Sequence, residues 1–320
     1  MSKKVYVESE FAPLKRVILS QSEFIFPKTL KDTEFLAEEA IQHFSEVRGK
    51  NFKDVFPKEY EQWLTERENL KTVLEKYEVE VILPRTLTDF EIELGGDDGC
   101  SNFFSRDPFF TISELVIEGS LRFPHRRNEI LPIRNILEEE ASRNDMYYVA
   151  IPKPDISMSI DSPKGPFIEG GDVLVYGKTV FVGNSGLASN ENGHQWLRNL
   201  LKHFGINVVS VPLAKDVLHL DCALSLVRDG LMIVCEEALL EGIPKELSHW
   251  DKIQIQKEEI AHLAANGLPV NEQVYILDPF FEKIGKQLED RGIQTEYIDF
   301  SISRSLGGSF RCSTQPLLRV

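Results

Sequence analysis

A helix followed by a strand recurs in degenerate form along the chain, and that repeat limits the architecture more than any single motif does. Its first copy is YEQWLTERENLKTVLEKYEVEVILP, where Trp63, Leu64, Leu70, Val73 and Leu74 form a helical stripe before a strand-like run that Pro84 ends. The second is IRNILEEEASRNDMYYVAIP. The third is NGHQWLRNLLKHFGINVVSVP, with Gly205 where a helix C-terminus favours positive φ. In the fourth, DPFFEKIGKQLEDRGIQTEYIDF, Asp278 and Pro279 read as N-cap and first helical residue, and Gly292 as the stop.

Short apolar hairpins follow these units. FFTISELVIEG, VLVYGKTVFVG and ALSLVRDGLMIV are the clear cases, with Gly177-Lys178 and Asp229-Gly230 as turns. APLKRVILSQ reads as one more strand. Paired with the segment after Cys312 it completes a fifth unit and brings the two ends of the chain together, which makes a ring. The segment 24–55 lies outside the repeat and is expected to be a helical cover on one face of a single domain spanning 1–320.

Each hairpin is entered through a chemically distinctive residue. SRDP places Asp107 before the first, EGGD places Glu169 and Asp172 before the second, LHLD places His219 and Asp221 before the third, and Cys312 enters the last. Quasi-equivalent copies around an axis put these entrances at one end, so the repeat predicts a pocket holding Asp107, Glu169, His219, Asp221 and Cys312. His219 and Asp221, two apart, are expected to share a facing in an extended entrance.

The chain of 320 residues carries 51 acidic against 36 basic side chains, a formal charge of -15. That balance argues against a sequence-independent grip on nucleic acid or on an anionic membrane, and suits a cationic small molecule. Cys100, Cys222, Cys235 and Cys312 are far apart with no CxxC pair, so neither a disulfide framework nor a zinc ribbon is suggested. No apolar run approaches membrane-spanning length, and a cytoplasmic location is expected.

Taken singly, each residue has an ordinary explanation. A lone cysteine is usually a small buried hydrophobe, a lone histidine a satisfied core or surface group, and the acids of SRDP and EGGD turn chemistry. Gly307 and Gly308 permit close backbone approach at Cys312, and Arg311 supplies positive charge that favours a thiolate. His219 can act as general acid or base. Acids at three entrances in register would repel one another without a cation between them. A metal ion suits the mixed hard and soft donors poorly; a guanidinium, whose planar fork pairs with carboxylates on different sides, suits them better.

SRDP, EGGD, LHLDCALS and GGSFRCSTQPLLR together resemble the guanidino-group-modifying enzymes of the pentein superfamily: arginine deiminases, dimethylarginine dimethylaminohydrolases and amidinotransferases. The match runs in order from about Val17 to the C-terminus. The resemblance implies a five-bladed α/β propeller of ββαβ units that needs no cofactor. It implies Cys312 as nucleophile, His219 as proton shuttle, Glu169 as the group that orients the guanidinium, and Asp107 and Asp221 as ligands of its nitrogens. Asp172 would be structural. HRRNE, whose Arg126 lies nineteen residues beyond Asp107, resembles the deiminase stretch that clasps a substrate carboxylate.

EGGD, HRRNE and RCSTQPL are nearer to the arginine-type hydrolases, whereas NENGHQWL resembles an amidinotransferase stretch. The expectation is therefore a hydrolase acting on arginine or a related guanidino compound through a covalent amidino-thioether on Cys312. Transfer of the amidino group to an amine is the alternative, and a non-catalytic member of the same architecture the third reading. The partner is a small molecule, with self-association open.

Overall fold

The computed structural model describes residues 4–29, 46–160 and 162–320. Five three-stranded sheets carry one plan: two antiparallel strands, then a third strand parallel to the middle one. Blade 1 places Leu14–Leu19 between Thr314–Arg319 and Glu80–Ile82. Blade 2 is Phe109–Ile112, Leu115–Glu118 and Tyr147–Ala150. Blade 3 is Val173–Tyr176, Thr179–Asn184 and Asn207–Pro212. Blade 4 is Leu224–Arg228, Leu231–Val234 and Asp251–Gln254. Blade 5 is Leu268–Asn271, Val274–Leu277 and Gln294–Tyr297.

A parallel third strand needs a crossover. The four repeat helices supply it: Pro57–Lys76, Leu131–Arg143, Glu191–Leu201 and Glu282–Glu289. Blade 4 instead crosses through the 3₁₀ turns Glu236–Ala238 and Lys245–Leu247, which is why no helical stripe precedes its third strand in the sequence. The hairpin of blade 5, LPVNEQVYIL, was not among the three read from the sequence, because Pro269 and the polar turn interrupt the apolar pattern. The expected local chemistry is present elsewhere: Gly205 and Gly292 adopt φ of +65° and +76°, and the Asp278 side chain accepts from Phe280 N–H.

Apolar clusters join the blades in a closed circuit. Ile18, Phe109, Val116 and Leu317 seal blade 1 to blade 2, and Ile112, Ile117, Val173 and Val182 seal 2 to 3. Leu174, Phe181, Leu224 and Ile233 join 3 to 4, and Trp250, Ile253, Tyr275 and Leu277 join 4 to 5. Leu19, Val17, Leu268 and Ile276 close 5 onto 1. The ring exists because Ile18 and Leu19 pair with Gln315 and Thr314, strands from opposite ends of the chain. The architecture is the five-bladed α/β propeller. Middle strands are mostly buried, wholly so at Leu115–Glu118, and third strands such as Tyr147–Ala150 are partly exposed at the rim.

The expected helical cover is only partly described. Glu23–Ile25 is a strand paired with Cys100–Asn102 and Phe52–Val55 a single helical turn, while 30–45 lies outside the described residues. The described parts contribute aromatics. Phe24, Phe26, Phe52, Trp63, Phe103 and Phe104 pack ring against ring in a wall that reaches Cys312.

Candidate active site

All five hairpin-entrance residues named from the sequence are buried at one end of the ring, each at most 3% exposed. Asp107 lies just before the first strand of blade 2, separated from it by Pro108. Glu169 caps the 3₁₀ turn Gly170–Asp172 before blade 3, and His219 caps Leu220–Cys222 before blade 4. His219 Nε2 lies 3.0 Å from Glu169 Oε2, and its Nδ1 lies 3.8 Å from Asp107 Oδ1. Gly171 makes this approach possible: its N–H donates to Asp107 Oδ1 at 2.8 Å, and a Cβ there would fall 2.6 Å from His219 Nδ1.

His219 and Asp221 reach the site, but strand alternation does not place them. The segment turns in a 3₁₀ step, which sends His219 toward Glu169 and Asp221 toward Cys312. Cys312 Sγ is 3.9 Å from Asp221 Oδ2. On the other oxygen of that carboxylate sits Cys222 Sγ, 3.8 Å away. Asp172 accepts from Leu220 N–H at 2.9 Å and from Ser189 N–H at 3.4 Å, so it ties blade 3 to the His219 turn.

Arg126, in the stretch that resembles a substrate-carboxylate clasp, is engaged by the chain's own acids. It is buried in the 3₁₀ turn Pro124–Arg126, with its guanidinium among three carboxylates. Nη2 donates to Asp107 Oδ2 at 2.8 Å and to Glu129 Oε2 at 2.9 Å, Nε to Glu129 Oε1 at 2.9 Å, and Nη1 to Glu169 Oε2 at 3.1 Å. Converging acids require a cation, and the chain supplies one itself. Arg311 does the same for Asp221, donating at 2.8 Å, and also pairs with Glu10.

Those pairings set the protonation states. Burial would pull His219 down, but Asp107, Glu169 and Asp172 outweigh it and raise the imidazole to about 10, so it is a cation at neutral pH. Burial opposes ionisation of Asp107 as well, yet His219 and Arg126 hold it at about 2. Glu129 and Asp172 are pushed up to about 7, chiefly by burial. Cys312 departs from the thiolate expected of a cysteine beside Arg311. Burial first, then Asp221 and Asp107, push the thiol well above its ordinary range, and Arg311, engaged with Glu10 and Asp221, opposes this too weakly. The resting pair is a neutral thiol and an imidazolium.

Three contributors escaped the sequence reading. Glu129 anchors Arg126 from three residues away within HRRNE, a helical i,i+3 spacing that could have shown it. Glu10 has no local signal. Asn266 Oδ1 accepts from both Cys312 N–H at 3.1 Å and Ser309 N–H at 3.2 Å, fixing the loop that carries Cys312. Asp107, Glu169 and His219 offer ligand atoms within 4.8 Å of one another, close enough for a metal ion. Arg126 already occupies the Asp107 and Glu169 oxygens, and a cationic metal would face that guanidinium.

A cysteine, a histidine clasped by carboxylates and two further acids, gathered at one end of a five-bladed propeller, define a guanidino-group-modifying enzyme of the pentein superfamily. The family model described as N,N dimethylarginine dimethylhydrolase, eukaryotic, matches residues 35–319, and the chain belongs to that family. It is 26% identical over 320 residues to uncharacterized protein YkgA of Bacillus subtilis, covering 99% of this chain and 96% of that one. Among solved structures, the inosamine-phosphate amidinotransferase of Streptomyces griseus superposes with a TM-score of 0.83 at 19% identity, covering 100% of this chain and 98% of that one. Dimethylarginine dimethylaminohydrolase of Pseudomonas aeruginosa, in complex with citrulline, superposes with a TM-score of 0.67 at 20% identity, covering 95% and 99%.

Proposed function

We propose that the protein hydrolyses the guanidino group of arginine or a related compound, N-methylated arginines included, through an amidino-thioether on Cys312. The observation that carries this reading is the buried cluster in which Cys312 Sγ lies 3.9 Å from Asp221 Oδ2 while Glu169 and Asp107 hold protonated His219. The charge balance leaves room for a substrate cation. Around His219, Asp107 and Glu169 offset the two cations Arg126 and His219, and Glu129 and Asp172, pushed up to about 7 and so partly ionised at neutral pH, add further negative charge. Asp107 and Asp221, each using only part of its acceptor capacity on an arginine, keep lone pairs for the guanidinium nitrogens.

The chemistry follows from the resting states. A guanidinium is a poor electrophile, so attack needs a thiolate and a carbon held in plane. The bound substrate cation next to Cys312 lowers the thiol's hold on its proton, offsetting the burial that keeps it neutral; Asp221, whose Oδ2 lies 3.9 Å from Sγ, takes that proton and passes it on to the departing amine. Sulfur adds to the guanidinium carbon, and His219 donates its proton to the departing nitrogen. The imidazole, then neutral, removes a proton from the incoming water, and the tetrahedral adduct collapses to release the ureido product and the thiol. The aromatic wall beside Cys312 limits stray water. One domain carries all of this, since blade 1 forms only when the two ends of the chain meet, and Glu23–Ile25 and Phe52–Val55 contribute to the cover.

Incubation with arginine and with N,N-dimethylarginine, each with and without glycine or another amine, followed by mass spectrometry, tests the reading. Citrulline, or ornithine with ammonia, formed without an amine is the expected result. Product formed only when an amine is present, and carrying the amidino group, would replace hydrolysis by transfer.

A further inference from the structure

The crossover helix Pro57–Lys76 of blade 1 turns two adjacent charged side chains inward, Glu66 and Arg67, which are 2% and 7% exposed. Both meet Ser303, in the short helix Ser301–Ser305 that leads into Gly307, Gly308 and Cys312. That helix has no side-chain cap of its own. Glu66 supplies the acceptors from outside: Oε1 takes Ile302 N–H at 2.6 Å, and Oε2 takes Ser303 N–H at 3.0 Å and the Ser303 hydroxyl at 2.7 Å. The same hydroxyl oxygen accepts from Arg67 Nη1 at 2.9 Å.

Arg67 also holds a second segment. Its Nη2 donates to Phe103 O at 3.1 Å, four residues before Asp107. Ser20 Oγ donates to that carbonyl as well, at 2.7 Å. The guanidinium lies over the rings of Phe300 and Trp63, 5.0 and 5.8 Å from their centroids. Phe300 stacks on Phe310, two residues before Cys312, and Trp63 belongs to the aromatic wall that reaches Cys312. Among the described residues no carboxylate forms an ion pair with Arg67, so its direction is set by the hydroxyl and carbonyl it holds. A planar fork keeps two acceptors at a fixed separation and angle. Here one acceptor belongs to the segment that delivers Cys312 and the other to the segment that delivers Asp107. We propose that Arg67, acting through Ser303, is a positioning residue that keeps the Cys312 loop in register with the Asp107 segment. Glu66 completes the clamp, because it takes the Ser303 proton and leaves the oxygen's lone pairs for Arg67. The effect on turnover rests on the hydrolytic reading of Cys312; the effect on the thiol itself does not.

Ser303→Ala and Arg67→Lys test this in the full chain. Asp221, Asp107, Arg311, Cys222 and Arg67 are the titratable and charged groups that act on or feel the Cys312 thiol. Ser303→Ala leaves all of them in place, and Arg67→Lys keeps the charge while losing the fork. Alkylation of Cys312 by iodoacetamide is followed by intact mass between about pH 7 and pH 10.5. Burial holds the native thiol high, so a loosened loop should lower the midpoint of the profile by about one pH unit in both variants. Turnover of arginine or N,N-dimethylarginine should lose about 10- to 100-fold in kcat with KM within about twofold, since the carboxylates that face the guanidinium are untouched. A purely structural role would lower the Tm and leave the alkylation profile in place, and that result in folded Ser303→Ala overturns the proposal. Should Ser303→Ala not fold, the profile of Arg67→Lys decides in the same way. Native protein that turns over neither guanidine would defeat the hydrolytic reading alone, and the alkylation profiles would still decide the role of Arg67.

Discussion

Arg126 donates to Asp107 across 2.8 Å, with both side chains buried and Glu169 on the same guanidinium. The pairing changes what the carboxylates do. They are aimed and partly neutralised by the chain itself, so a cation approaching them meets acceptors of fixed direction. It also makes Arg126 an internal support of His219, since both acids that grip the imidazole are held by this one side chain.

Replacing Arg126 with methionine is therefore expected to destabilise the protein by about 3–5 kcal/mol, because three buried carboxylates lose their partner. Introducing Glu129→Gln into that variant should recover part of the loss, since it removes one of the three repelling charges. Urea titration of the two variants checks this; full additivity of the two substitutions would contradict a shared network.

Cys312→Ser is expected to abolish turnover, by a factor of at least about 10³, while shifting the urea midpoint little. The oxygen is nearly isosteric with sulfur but far less nucleophilic. Product formation measured alongside circular dichroism separates chemistry from folding, and retained activity would defeat the covalent mechanism.

His219 gives stability a pH dependence of definite sign. Its folded-state pKa is raised from 6.5 to about 10, so its stabilising contribution is complete below about pH 6.5 and is lost as pH rises through about 10. Asp107 acts at the other end: lowered from 3.8 to about 2, it contributes above about pH 3.8 and loses that contribution as pH falls through about 2. The Tm difference between the protein and His219→Gln, followed from pH 6 to pH 10.5, should shrink toward the alkaline end. A difference constant across that range would show that His219 is not held as a cation.

Asn266→Ala removes the acceptor of the Cys312 and Ser309 amides and leaves both buried N–H groups unsatisfied. A cost of about 1–3 kcal/mol for each is expected. The loop carrying the nucleophile loosens with it, so the rate of Cys312 alkylation should lose the pH profile of the native protein. Asn266→Asp, which keeps the accepting oxygen, should retain the loop and shift the thiol further upward through its added charge.

Much of this molecule is legible from local pattern. The helix-strand copies, the glycines at Gly205 and Gly292, and the N-cap at Asp278 follow from side-chain periodicity and backbone freedom, which neighbours a few residues away decide. Repetition then carries the inference beyond the local, because equivalent units must place Asp107, Glu169, His219, Asp221 and Cys312 at equivalent positions. Blade 4 and the hairpin of blade 5 were harder to see, since 3₁₀ crossovers and a proline in the strand weaken the periodic signal.

Which cation meets which acid was decided only by the tertiary structure. Glu10 finds Arg311 across 301 positions, Asn266 reaches the Cys312 amide across 46, and Arg126 turns inward to Glu169 where the motif pointed to a substrate carboxylate. Such pairings depend on side-chain direction within a closed ring, and hydrophobic spacing does not encode it. The sequence by itself determined the ring of repeats and which residues its hairpin entrances gather at one end. Their charge states, a neutral thiol and an imidazolium, came from burial and from carboxylates that only the closed ring brings into contact.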